Sequence, residues 1–123
     1  MHFLAAKQWS NAQDHLTRAA GVLELLVASS PTNPLFQTSL ARVRWELADS
    51  LQRQGSLAPS RELLEKAIAQ YGEFRSSEPG RRASVGLLVG LHRQLAHVLE
   101  QLGEKQLASE ASRTADRLRD LSH

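Results

Sequence analysis

The chain contains no cysteine. That excludes disulfide staples, thiolate zinc sites and a cysteine nucleophile, and leaves the redox compartment open. Proline and glycine are sparse, four and seven among 123 residues. The segments between them are too long for strands and suit helices. No apolar run approaches the roughly 18 residues of a membrane span, and no basic stretch followed by an apolar one opens the chain. The sequence therefore reads as soluble, unprocessed and cytoplasmic, with no membrane partner. An excess of charge of one sign is also lacking: 15 Lys and Arg against 13 Asp and Glu leave +2. That balance predicts no nucleic-acid partner, even though the sequence pI is ≈ 9.5. The most basic stretch, residues 80–102, has three Arg against one Glu and no aromatic side chain to stack a base.

Catalytic signatures are missing as well. There is no Gly-x-Ser-x-Gly elbow, no Gly-rich phosphate loop and no dinucleotide fingerprint. Glu62 and Glu65 sit one turn apart on a polar face, the ordinary place for solubilising carboxylates. His92 and His97 are five residues apart, which separates them by roughly 140° on a helix and disfavours a shared metal. Arg81 and Arg82, after Pro79-Gly80, could hold a phosphate at a helix start, but a solvated turn fits them better. The expectation is a protein without enzymatic activity, cofactor or metal.

What is present is an ordinary globular composition, 41% hydrophobic and 23% charged, in a length that suits one domain. Five helical stretches follow from the spacing. The first covers about 3–29 and stops at Ser30-Pro31-Thr32-Asn33-Pro34, where Asn33 can cap the next helix and Pro34 can take its first position. The second, about 34–54, carries Leu40, Val43, Leu47 and Leu51 at spacings of three and four and ends at Gly55. A third covers about 59–77, with Leu64, Ala67, Ile68 and Tyr71 on one side. The fourth, about 81–102, repeats the second with Leu88, Leu91, Leu95 and Leu99 and stops at Gly103; the fifth continues to about Leu121.

Behind these helices lies a gapless internal repeat of 48 residues. Pro31 and Pro79 are one period apart, as are Leu40 and Leu88, Leu47 and Leu95, Ala48 and Ala96, Leu51 and Leu99, Gly55 and Gly103, and Ala67 and Ala115. One period earlier, Phe3 pairs with Leu51, Ala12 with Ser60, Leu16 with Leu64 and Ala19 with Ala67. A single domain over 1–123 is thus expected to hold the second half of a partial repeat (1–30) and two repeats (31–78 and 79–123). The incomplete first unit suggests a piece of a longer protein.

These positions resemble the tetratricopeptide repeat. The leucine and small residue of that family's first helix look like Leu47-Ala48 and Leu95-Ala96, and its large residue one turn later falls on Phe3, Leu51 and Leu99. Its turn glycine matches Gly55 and Gly103, and its small residues in the second helix fall on Ala12, Ser60 and Ala108 and on Ala19, Ala67 and Ala115. Small residues are required where paired helices cross closely. The unit is 14 residues longer than the family's about 34, a surplus of two heptads that lengthens helices while keeping their apolar faces nearly in phase. Arg44 and His92 stand where the family has tryptophan. The resemblance implies an all-α fold, a right-handed stack of antiparallel helix pairs. It is similar to the long-helix arrays of bacterial multidomain signalling proteins, some joined to serine/threonine kinase domains.

In this family the groove is lined by the exposed stripe of each first helix. Here that stripe is Arg42, Trp45, Asp49, Gln52 and Arg53, continued by Gly90, Arg93, His97, Glu100 and Gln101. Tryptophan and arginine are enriched at binding hot spots, so Arg42, Trp45, Asp49, Arg53, Arg93 and His97 are the candidate contacts to a protein or peptide partner. The competing reading has Trp45 packing against an adjacent repeat and the arginines solvated. His15, which repeats Leu63 and Ala111, is expected to be partly buried and hydrogen-bonded. The function expected is a non-catalytic interaction module. Two alternatives stand beside it: a homodimer formed where Leu16, Leu23 and Leu26 lack cover, or a regulatory fragment of a larger signalling protein such as a bacterial kinase.

Overall fold

The computed structural model describes residues 2–121, with side-chain environments from residue 11 onward. It is all-helical: α1 (His2–Ser29), α2 (Pro34–Arg53), α3 (Leu57–Ser76), α4 (Val85–Gln101) and α5 (Lys105–Leu121), with no strand among the described residues. Each helix packs on its neighbour in the chain, and α2 also touches α4 across the repeat. Connections this short make consecutive helices antiparallel. Phe3, named above, lies outside the residues whose side chains are described.

The 48-residue period is written into the backbone. Both turn glycines adopt φ +84, the left-handed region where a side chain would be strained. Around Gly55 the N–H of Gly55 donates to Gln52 O at 3.0 Å and that of Ser56 to Leu51 O at 2.9 Å; around Gly103 the N–H of Gly103 donates to Glu100 O at 3.0 Å and that of Glu104 to Leu99 O at 2.9 Å. Each pair closes the preceding helix by satisfying carbonyls that have no partner within it. Where the period would set an earlier turn glycine stands Lys7, and α1 runs through that position unbroken.

Side chains follow the same period. Leu40 and Leu88, Leu47 and Leu95, Ala48 and Ala96, Leu51 and Leu99, Ser60 and Ala108, and Ala67 and Ala115 are all buried. At the α2–α3 crossing the Ser60 hydroxyl donates to the Ala48 carbonyl at 2.7 Å, an approach open only to small residues. Asn33 caps α2 as expected, its side-chain oxygen accepting from the N–H groups of Leu35 and Phe36.

Three helix starts and environments differ from expectation. Helix α3 begins at Leu57, two residues before Pro59; a proline within the first turn forfeits no intrahelical bond, because N–H groups there have no acceptor. Helix α4 begins at Val85, not near Arg81. The chain makes a 3-10 turn at Glu78–Gly80 and then lies along α3, where Tyr71 Oη donates to Ser84 O at 3.1 Å and Arg75 Nε to Ala83 O at 2.9 Å. Those carbonyls are satisfied sideways, so residues 81–84 stay out of the helix. His15 is exposed. Helices α3 and α5 each pack on the helix before them, and none of the described residues fills that place for α1.

The two ends of the stack differ in character. Leu16, Leu23 and Leu26 are half-buried, whereas Val22 and Leu25 on α1 are 58% and 72% exposed. Helix α5 buries only Ala108, Ala111 and Ala115, and most of its remaining surface is polar or charged.

Candidate functional site

Helices α2 and α4, one period apart, bring their outward stripes together. Trp45 is half-buried and packs on the core. Its indole ring rests on Gly90: a methyl group at that glycine would stand 2.3 Å from Trp45 Cη2, so glycine is what leaves room for the ring. Trp45 is packed on α4, as the competing reading has it, and the same side chain lines the surface between the helices.

Below Trp45 a ladder of polar side chains ties the helices. Gln94 Nε2 donates to Asp49 Oδ1 at 3.3 Å and also to Gln52 Oε1. Gln52 Nε2 in turn donates to His97 Nδ1 at 3.1 Å and to Gln101 Oε1. Asp49 and His97 thus belong to one connected surface. Beside it is a depression of ≈ 300 Å³ lined by Trp45, Glu46, Asp49 and Gln94. A larger hollow, ≈ 710 Å³, is lined by six residues of α5 alone, and no second helix closes it.

The arginines are distributed differently. Arg53 Nε donates to Asp49 Oδ2 at 3.0 Å, and Arg93 Nη2 lies 3.8 Å from Asp116 Oδ1 on α5. Exposed pairs of this kind contribute about 0–1 kcal/mol, but they occupy the cations. Arg42 is exposed. Arg93 faces α5 because the ladder runs through Gly90, Gln94, His97 and Gln101 at spacings of four, three and four, and neighbouring residues are rotated by roughly 100°. Gln94 and Glu46 were absent from the sequence-derived stripe; counting in fours and threes from Gly90 reaches Arg93 as readily as Gln94, so spacing alone does not choose between them.

Arg44 is the other residue that charge concealed. It is 8% exposed, with Nη1 donating to Gln70 Oε1 at 3.5 Å and Nη2 3.8 Å from Glu24 Oε1. Gln70 Nε2 donates to Gln37 O at 3.0 Å, and Gln37 Nε2 to Pro31 O at 2.8 Å. The network joins α1, α2, α3 and the first turn. Burial pulls the Arg44 pKa down while Glu24 pushes it back up; a guanidinium stays cationic under such opposing effects. His92, one period on, is half-buried, and burial lowers its pKa, which holds the ring neutral at pH 7. The signal was legible, since Leu40, Ala41, Leu47 and Ala48 surround Arg44 at three- and four-residue spacings.

No cluster of three His, Asp or Glu able to hold a metal occurs among the described residues, and no described helix is long and apolar enough to cross a membrane. Compared with known protein families, curated proteins and solved structures, the chain has no match.

Proposed function

We propose that the chain is a non-catalytic interaction module of tetratricopeptide-like design, which docks a peptide or partner helix along the joint surface of α2 and α4. One observation carries this reading: two helices a full period apart are locked side by side by Gln94, Gln52 and the Trp45–Gly90 contact. A surface held this way is formed before the partner arrives, which reduces the ordering cost of docking. Arrays with similarly long helices belong to bacterial signalling proteins, and a regulatory role of that kind is the biological setting we favour.

The test is selection of a random dodecapeptide library against the full chain, followed by binding to variants. Peptides are expected to be enriched, and to lose about tenfold or more in affinity for a Trp45→Ala variant. They should also weaken with Gly90→Ala, which displaces the indole ring; its roughly 1 kcal/mol gain in helix propensity opposes an overpacking cost of about 1–3 kcal/mol, and a thermal melt of the variant separates lost binding from lost fold. Enriched peptides indifferent to all these changes would move recognition to another face.

A second reading, self-association, is favoured by α1. Val22 and Leu25 present an exposed apolar pair, whereas α5 at the opposite end, Leu107 and Leu121 apart, presents mostly polar and charged side chains. Two copies would therefore meet head to head in a closed dimer rather than grow as a filament. Sedimentation equilibrium at high micromolar concentration is expected to show a dimer that Leu25→Asp abolishes; a monomer throughout removes this reading.

A further inference from the structure

We propose that the depression between α2 and α4 accepts a cationic side chain, the guanidinium of an arginine or the ammonium of a lysine, carried by the docking segment. The inference rests on the docking surface proposed above and names the chemistry of its occupant. The walls are the indole of Trp45, the carboxylates of Glu46 and Asp49 and the amide of Gln94. Glu46 is exposed and forms no ion pair with a described residue, so its charge is available to an incoming partner. Asp49 already accepts from Arg53 and Gln94, each on a different oxygen, yet a carboxylate has about four acceptor positions. Gln94 has its amide nitrogen engaged with Asp49 and Gln52, which leaves its carbonyl oxygen as a further acceptor.

The inventory is therefore one-sided. Apart from the indole N–H of Trp45, every uncommitted polar group in the lining is an acceptor, two of them are anionic, and the remaining wall is the aromatic ring. That combination suits a planar or compact cation rich in donors: carboxylates supply charge-assisted hydrogen bonds, and an indole face attracts a cation through its quadrupole. An acidic segment meets the opposite situation, since Glu46 and Asp49 repel it, while Arg53 and Arg93 are already beside Asp49 and Asp116 and Arg42, exposed and in no ion pair with a described residue, is not part of the lining.

The peptides enriched by the dodecapeptide selection provide the test. They are expected to share an arginine or lysine, whose replacement by citrulline or glutamine lowers affinity about tenfold. Glu46→Gln, at an exposed carboxylate outside any ion pair, should produce a comparable loss with an unchanged thermal melt, and binding should weaken as salt rises. Enriched peptides that depend on Trp45 but share no cation, or that are acidic, overturn the cation site and leave the docking surface standing. No enrichment at all overturns both.

Discussion

Replacing Gly80 with alanine is expected to lower the melting temperature by roughly 10 °C or more, at about 4 °C per kcal/mol for a domain of this size. Gly80 is buried, and a Cβ there would stand 1.9 Å from the Phe74 carbonyl oxygen, 2.5 Å from its carbon and 3.1 Å from Arg75 Cα. All three are backbone atoms of α3, so no side chain can swing aside. The 3-10 turn must lift away, which weakens the Tyr71 bond to Ser84 O and the Arg75 bond to Ala83 O. Overpacking contributes about 1–3 kcal/mol and each lost hydrogen bond about 1 kcal/mol, for a total near ~3 kcal/mol. Circular dichroism melting measures it, with Gly72→Ala as the contrast. Among the described residues, no atom beyond α3's own adjacent backbone lies within 4 Å of a Cβ at Gly72, so alanine there should stabilise α3 by about 1 kcal/mol. Equal melting of the Gly80→Ala variant and the parent would mean that the connection does not press on α3 as described.

The contrast between these two glycines shows where sequence reading ends. Gly55 and Gly103 could be assigned to helix stops because a helix end leaves local marks, a periodic apolar face that breaks off and a residue able to take positive φ. Asn33 before Pro34 was equally local. Gly80 is different, since its need for a bare Cα comes from α3 passing over it, and no spacing records that contact. The same cause displaced the expected start of α4: Tyr71 and Arg75, far back in the sequence, satisfy the carbonyls of Ala83 and Ser84. Within the site, helical spacing brought Trp45, Asp49 and His97 into one stripe, but it could not tell Arg93 from Gln94. One residue rotates the side chain by roughly 100°, and only the position of α5 and its Asp116 decides which of the two turns away. Arg44 poses a different problem. Its spacing marked it as buried, and its charge argued for solvent; Gln70 and Glu24, on two other helices, resolve the conflict.

Ala48→Leu is the second substitution with a large expected effect, and it reaches the packing on which the repeat rests. Ala48 is 0% exposed, as are Ala41 on the same helix and Ala67 on α3. Its carbonyl accepts the buried Ser60 hydroxyl at 2.7 Å, so α2 and α3 are nearly in backbone contact where they cross. With Ala48 fully buried at so close a crossing, three added carbons force the helices apart, stretching that bond as they separate. The combined penalty is about 3 kcal/mol, or roughly 12 °C. Ala96→Leu, one period later, should be milder, because its counterpart on α5 is Ala108, which has no hydroxyl to lose, and Ala96 is itself 7% exposed. Peptide affinity adds a second readout below the melting transition. Helix α2 carries Trp45, Asp49 and Gln52, and a shift of its axis away from α3 changes how those side chains meet Gly90, Gln94 and His97. Ala48→Leu should therefore weaken peptide binding while Ala96→Leu, which disturbs the other pair, weakens it through α4. If Ala48→Leu melts within about 4 °C of the parent, the crossing has room for a large side chain, and the small-residue logic that relates these helices to tetratricopeptide repeats loses its physical basis.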